Sequence, residues 1–383
     1  MKLIHLSDLH FGKQVSGWSM QEEQSYICGE ILKIVDAEKP DAVLIAGDLY
    51  DRHVPPEWAV ALLDRFLQNL AERTEKLLLI SGNHDSDVRV AFGAELLQKA
   101  NVYISPVWQR GSVQPVTLQD SHGPVQVYLL PYVSRFQVQH AFADQPEAPE
   151  FSTYTDALRA AVQDMHVDSS ARNVLVAHQF VTGGEQAGSE EIVGTVDSVD
   201  ADIFDAFDYV ALGHLHRAQC VQRKGIRYCG SPLKYSLAEV DSRKSVTVVE
   251  LGAKGTELRI QEKLLKPKHD MVELRDTFAR LMEPDMVQKH AEDYVYFTLT
   301  DAQLPAGAVM QLKDKYHHFM QLRLENDAAR AKSPVPASVQ HDPQKEPLAL
   351  LCDFFRSRNG RDMNQEQLNF AQQQMQQIWE GAG

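Results

Sequence analysis

Five short apolar runs between residues 2 and 216 each end in a polar corner, and this pattern constrains the fold more than any other feature of the chain. The runs are 2–7, 41–46, 76–81, 173–177 and 209–212. They close on Ser7-Asp8-Leu9-His10, Gly47-Asp48-Leu49-Tyr50-Asp51, Gly82-Asn83-His84-Asp85, Ala177-His178 and Gly213-His214-Leu215-His216. Most are near-continuous Val, Ile, Leu and Ala, as expected of strands covered on both faces. Amphipathic stretches lie between them: 26–35 with Ile27, Ile31, Leu32 and Val35, 58–70 with Leu62, Leu63, Phe66, Leu67 and Leu70, and 156–162. Strand–helix alternation predicts an α/β sandwich. Further strands, several of them antiparallel, are predicted at 126–131, 220–229, 245–250 and 258–263.

In open α/β sheets ligands bind beyond the carboxyl ends of the strands. Five such ends deliver Asp8, His10, Asp48, Asn83, His178, His214 and His216 to one rim. One ion would leave several of these donors unused, whereas two ions sharing a carboxylate use them all. Imidazole mixed with carboxylate and amide oxygen suits Mn, Fe or Zn better than Mg or Ca. Two divalent ions against two carboxylates leave a net positive centre, suited to an anionic phosphate. A metal pair about 3.5–4 Å apart clamps both oxygens of an in-line displacement and generates hydroxide near neutral pH. No Ser/His/Asp or Cys/His nucleophile pattern competes with that reading. Gly47, Gly82 and Gly213 each precede a donor at a sharp corner, where a missing Cβ permits close approach. Each block alone is weak, since Asp-x-His recurs by chance and Gly-Asn-His-Asp can be a plain turn. All five in order, each after an apolar run, define a site.

Composition bounds the partners and the compartment. The 383 residues carry 38 Lys and Arg against 53 Asp and Glu, a formal charge of −15. A partner held mainly by a broad positive surface is therefore disfavoured, and affinity for DNA would need local basic patches, metals, dimerisation or a second subunit. Cys28, Cys220, Cys229 and Cys352 show no CxxC spacing, which argues against a zinc knuckle or redox pair. Cys220 and Cys229 could face each other across a hairpin turning at Lys224-Gly225, though free thiols are expected. The N-terminus turns polar too early for a signal peptide, and no apolar run approaches the roughly 18 residues of a membrane span. A cytoplasmic protein without membrane contact is the expectation.

Four regions are expected. Residues 1–265 form the α/β core domain. Residues 266–330 hold helix 272–281, strand 294–300 and helix 309–322, enough for a small α/β appendage. Residues 331–347 contain Lys332-Ser333-Pro334-Val335-Pro336-Ala337-Ser338, then Pro343 and Pro347, which reads as an extended linker. Residues 348–383 form a helix pair around Asn359-Gly360. Its apolar residues, Leu350, Leu351, Phe354, Phe355, Phe370 and Trp379 among them, have no evident core of their own and fit helix-in-groove docking.

The five blocks resemble those of the calcineurin-like metallophosphoesterases. The opening Lys2-Leu3-Ile4-His5-Leu6-Ser7-Asp8-Leu9-His10-Phe11-Gly12 is more particular. So is Tyr228-Cys229-Gly230-Ser231-Pro232-Leu233-Lys234-Tyr235-Ser236-Leu237-Ala238-Glu239 followed by Lys244-Ser245-Val246. Both resemble the SbcD branch, the nuclease subunits of bacterial SbcC–SbcD DNA double-strand-break complexes. The resemblance implies a metallophosphoesterase-type αββα sandwich with a small α/β capping domain and C-terminal helices. It also implies Mn-dependent endo- and exonuclease activity on DNA ends and hairpins, in DNA repair. By position, one ion falls to Asp8, His10 and His216, the second to Asn83, His178 and His214, with Asp48 bridging and Mn2+ the usual metal. His84 would face the scissile phosphate as a catalytic group, with Asp85 orienting it. Some relatives carry a second substrate-facing histidine near the second block; Asp51 stands there and His53 lies two residues on. The resemblance further implies that 266–330 cap the site. It implies that the terminal helices dock on an SbcC-type coiled-coil ATPase, and that the chain forms a homodimer within a heterotetramer.

Two other functions share these features. A phosphatase or cyclic-nucleotide phosphodiesterase would use the same metal blocks, and a non-catalytic scaffold could use the same fold. The tethered apolar helices argue against the first, the complete donor set against the second. Elsewhere, His5 is expected in the core and His317-His318 on a helix surface. The basic run Arg217, Arg223, Lys224, Arg227, Lys234, Arg243 and Lys244 is either a DNA-phosphate contact or a solvated hairpin edge. The acids of 185–208 are expected away from any DNA path.

Overall fold

Along the strand Lys2–Leu6 the side chains alternate between two apolar layers, Leu3 entering one buried cluster and Ile4 and Leu6 another. Ala42–Ala46 repeats this, with Leu44 and Ala46 on one side and Val43 and Ile45 on the other. Lys76–Ile80 does so again, through Leu78 and Ile80 against Leu77 and Leu79. Successive strand side chains point to opposite faces, so a strand apolar at every position must be covered on both.

The computed structural model describes residues 1–143, 149–186 and 198–325, together with 348, 352, 355, 356, 362, 363, 365 and 367–371. Two six-stranded mixed sheets form its core. The first runs in the order Arg259–Leu264, Ser245–Glu250, Lys2–Leu6, Ala42–Ala46, Lys76–Ile80, Val102–Ile104. Its last four strands are parallel and the other two antiparallel. The second runs Gln219–Val221, Arg223–Tyr228, Tyr209–Gly213, Arg172–His178, Gly123–Leu130, Val116–Asp120, with four parallel strands inside two antiparallel edges. Leu3, Leu44 and Leu78 of the first meet Val127, Val176 and Ala211 of the second in the inner layer. Each is fully buried, worth about 1.5–3 kcal/mol per large aliphatic side chain.

Helices cover the outer faces. Gln21–Glu38 applies Ile27, Ile31 and Val35, and Glu57–Ala71 applies Leu62, Leu63, Phe66 and Leu70, to the first sheet's outer layer. Tyr154–Gln163, opened by a capping box of Thr153 and Asp156, applies Ala157, Leu158 and Ala161 to the second. The layers are therefore αββα, as expected of a metallophosphoesterase-type sandwich. No helix among the described residues is long and apolar enough to cross a membrane.

The chain divides into two compact units. The sandwich belongs to the first, Met1–Glu273 with His290–Tyr296 and Tyr316–Gln321. The second comprises Leu274–Lys289, Phe297–Lys315 and Leu322 onward. Here two expectations fail. The helix placed at 272–281 is a strand, Met271–Asp276, followed by short helices Phe278–Leu281 and Pro284–His290. The helix placed at 309–322 ends at Lys315, and His318–Leu324 is a strand. Val309, Leu312, Tyr316 and Phe319 keep helical spacing across the break, so periodicity could not reveal it. Both misread segments flank the fully buried strand Tyr294–Leu299 in a three-stranded sheet, and that pairing overrides local preference. His318 accordingly leaves the surface role expected of it: its ring stacks on Tyr294 at 4.5 Å between centroids, with Trp18 at 5.1 Å.

The hairpin near the second sheet's edge turns at Gln222 (φ 56°), not at Lys224-Gly225. Cys220 consequently opposes Arg227, so it does not face Cys229, and all four cysteines are free. His5 is buried as expected, its Nδ1 2.8 Å from the Tyr209 hydroxyl. The linker 331–347 and most of the helix pair 348–383 lie outside the described residues, as do Glu190, Glu191 and Asp197.

Candidate metal centre

At the carboxyl ends of the parallel strands the main chain turns sharply. Asp8, His10, Asp48 and His214 have φ of 52°, 46°, 50° and 102°, left-handed conformations that a non-glycine residue adopts at a cost of about 1–3 kcal/mol. The first two loops brace each other: Asp8 N donates to Gly47 O at 3.1 Å and His10 N to Asp48 O at 2.9 Å. Close approach explains two of the glycines. A Cβ on Gly213 would lie 1.9 Å from Ala46 O and 2.7 Å from His178 Nδ1, and one on Gly82 2.2 Å from Asp48 Oδ1. What these glycines admit is the donor side chains and their backbone, rather than the ions themselves.

All seven expected donors meet at this rim. Asp8, His10 and His216 form one cluster of candidate ligand atoms, and Asp8, Asp48 and His178 another, with no two atoms in either more than 4.8 Å apart. Asn83 Oδ1 completes the second side, 2.9 Å from His178 Nε2 and 3.2 Å from His214 Nδ1. Asp48 Oδ2 stands between, 3.5 Å from His10 Nε2 and 3.3 Å from His178 Nε2. Every one of these groups except Asn83 and His214 is buried.

The ring nitrogens show what the cluster is built to hold. His178 Nδ1 donates to Ala46 O at 2.8 Å and His216 Nδ1 to Glu239 Oε1 at 3.3 Å. In each neutral ring Nε2 is then the bare nitrogen. His178 Nε2 nonetheless faces two oxygens, of Asn83 and Asp48, and His216 Nε2 faces His10 Nε2 at 3.1 Å. Lone pairs converging in a buried space need a cation between them, and mixed imidazole, carboxylate and amide donors fit divalent transition metals.

The protein's own electrostatics carry the same signature. Burial pushes the Asp8 carboxyl up to about 6, against the pull of His178 and His216. Burial followed by the neighbouring His178 lowers His214 to about 3, and burial holds His10 well below the usual imidazole range. Burial would neutralise Asp48 and His178 as well. Their mutual attraction overcomes it, holding Asp48 well below the usual carboxylate range and raising His178 to about 9.

His84 lies beside the cluster. Its main-chain N–H donates to Asp48 Oδ1 at 2.9 Å, its Nδ1 to Asp51 O at 3.0 Å, and its ring packs edge-on against His10 at 4.8 Å. Asp85 does not orient it, contrary to expectation. The Asp85 carboxylate accepts the main-chain N–H groups of Gly82 (2.8 Å), Tyr50 (2.9 Å) and Leu49 (3.0 Å), stapling the second and third corners together. His53 Nδ1 bonds the Asp85 carbonyl at 2.8 Å.

The basic run past the last corner is neither a free phosphate contact nor, for its buried members, a solvated edge. Arg227 pairs with Glu262, and Lys244 with Glu239. Arg223 bonds the carbonyls of Phe204 and Phe207. Lys224, Lys234 and Arg217 pair with Glu257, Asp270 and Glu185. Glu239 was missed as a site residue; its only sequence signal was membership of the 228–239 block.

The family model for calcineurin-like phosphoesterases matches residues 1–218. The chain belongs to this family, a class of metal-dependent hydrolases whose corners these are. Within it, the chain is homologous to SbcD, the smaller component of the nuclease SbcCD. The SbcD protein of Staphylococcus saprophyticus subsp. saprophyticus is 32% identical over 329 residues, 84% of each chain. That of Staphylococcus epidermidis is 29% identical over 374 residues, 96% of each chain. Among solved structures, a dimetal phosphatase from Danio rerio aligns with 69% of this chain and 96% of its own, at 11% identity and a TM-score of 0.38.

Proposed function

We propose that this chain is the nuclease subunit of an ATPase–nuclease complex, hydrolysing DNA phosphodiesters at double-strand ends and hairpins with two Mn2+ ions. The observation that carries the reading is the convergence of bare nitrogens and oxygens at the five strand ends, in a chain homologous to SbcD nucleases over nearly its whole length. One cation falls to Asp8, His10 and His216 and the other to Asn83, His178 and His214. Asp48 is shared, as its position between His10 and His178 supports. When bound, the cations supply Lewis acidity toward phosphoryl oxygens and a water acidic enough to ionise near neutral pH.

The chain's own groups do the rest. With its Nδ1–H engaged by Asp51 O, His84 has Nε2 left to pass a proton to the departing 3′-oxygen. Asp85 fixes the corner that carries His84, acting through main-chain N–H groups. Residues 266–330 act as the cap that limits which DNA reaches the site. Residues 331–347 tether the helices of 348–383 to an SbcC-type coiled-coil ATPase, within a heterotetramer containing two copies of this cytoplasmic DNA-repair protein. The formal charge of −15 makes DNA binding depend on that assembly.

The test is turnover of labelled linear and hairpin DNA with Mn2+, with and without the ATPase partner and ATP, beside small phosphomonoesters. Mn-dependent DNA cleavage, stimulated by the partner and abolished in Asp48→Ala, is expected. Rapid phosphomonoester hydrolysis without DNA cleavage would replace the nuclease with a phosphatase.

A further inference from the structure

The block 228–239 and Lys244, distinctive in the sequence, supply no candidate ligand, yet they close around one. Glu239 is 0% exposed. Its Oε1 accepts His216 Nδ1 at 3.3 Å and the Tyr235 main-chain N–H at 3.3 Å. Its Oε2 takes Lys244 Nζ at 2.5 Å, and that ammonium also reaches the His216 carbonyl at 2.9 Å and Ser231 Oγ at 2.8 Å. The ring and the main chain of His216 are thus both tied to one buried carboxylate–ammonium pair. Such a pair adds little stability over an apolar one of the same size, so its retention calls for another role.

We infer that Glu239 is a positioning residue for one half of the metal centre: it fixes the His216 tautomer with Nε2 bare and aims that nitrogen at the space shared with Asp8 and His10. The inference rests on the metal-centre reading above. A carboxylate behind a ligating imidazole sets ring orientation and raises donor strength, and its removal weakens metal binding 10–100-fold by general experience. The other half owes nothing to Glu239, because His178 is held by the Ala46 carbonyl.

The test is Mn2+ titration of the full chain by calorimetry and electron paramagnetic resonance, with metal-free thermal unfolding alongside. Wild type is expected to fill both positions and give the signal of a coupled pair. Glu239→Ala should fill one position normally and the other about 10–100-fold more weakly, passing through an uncoupled one-Mn state. Glu239→Gln, which keeps an acceptor oxygen, should lie between them. Should Glu239→Ala fail to fold, Glu239→Leu combined with Lys244→Met removes the acceptor without an orphan charge and should show the same one-Mn state. Wild-type filling of both positions by that double variant overturns the role of Glu239 alone. A wild-type chain that takes up no divalent cation overturns the metal centre and this inference together.

Discussion

The two halves of the metal centre are oriented by partners of different kinds. His178 donates to the Ala46 carbonyl, a main-chain atom on a fully buried strand, with Gly213 packed against both. His216 donates to the carboxylate of Glu239, itself dependent on Lys244. No substitution at position 46 deletes its carbonyl, whereas one substitution deletes the Glu239 carboxylate. One half is guaranteed by the sandwich; the other is an attachment that the loop after the second sheet supplies. A protein built this way can alter one cation position while the fold and the other position stay fixed.

Three substitutions sharpen this contrast, in order of falling effect. His84→Ala removes a group that belongs to neither half, so both cations should still bind while turnover falls about 10²–10⁴-fold. Full activity in that variant, with metal content verified, would take His84 out of the chemistry. Lys244→Ala leaves Glu239 charged, buried and unbalanced, and should lower stability by about 3–5 kcal/mol in urea titration. A loss under about 1 kcal/mol would mean that Ser231, Tyr235 and Ser236 suffice to hold the carboxylate. Gly213→Ala attacks the main-chain half, forcing a Cβ against Ala46 O and His178 Nδ1, for a loss of about 1–3 kcal/mol. Its metal titration should show the mirror image of Glu239→Ala, with the His178 position weakened and the His216 position intact.

The donors were legible because each sits at the end of an apolar run, where strand, corner and polar residue follow within a few positions. Asp8, Asp48, Asn83, His178 and His214 needed no long-range knowledge to be placed on one rim, only the rule that parallel strands end together. The supports were not legible. Glu239 lies among Ser, Leu, Ala and Val with nothing local to set it apart, and its meaning depends on His216, 23 residues away. Asp85 looked like the partner of its neighbour His84, yet its carboxylate turns to the main chain of residues 49, 50 and 82. The basic run misled for the same reason: charge is visible in a sequence, its neutralisation by Glu262, Glu257 or Asp270 is not.

By itself the sequence determined the sandwich and the donor set, since hydrophobic alternation and corner residues act over a handful of positions. Tertiary structure decided the rest. It made strands of 271–276 and 318–324 by pairing them with a buried neighbour, and it chose which nitrogen of each histidine is bare. Those outcomes turn on partners tens to hundreds of residues apart, whose energy exists only once the chain has closed on itself.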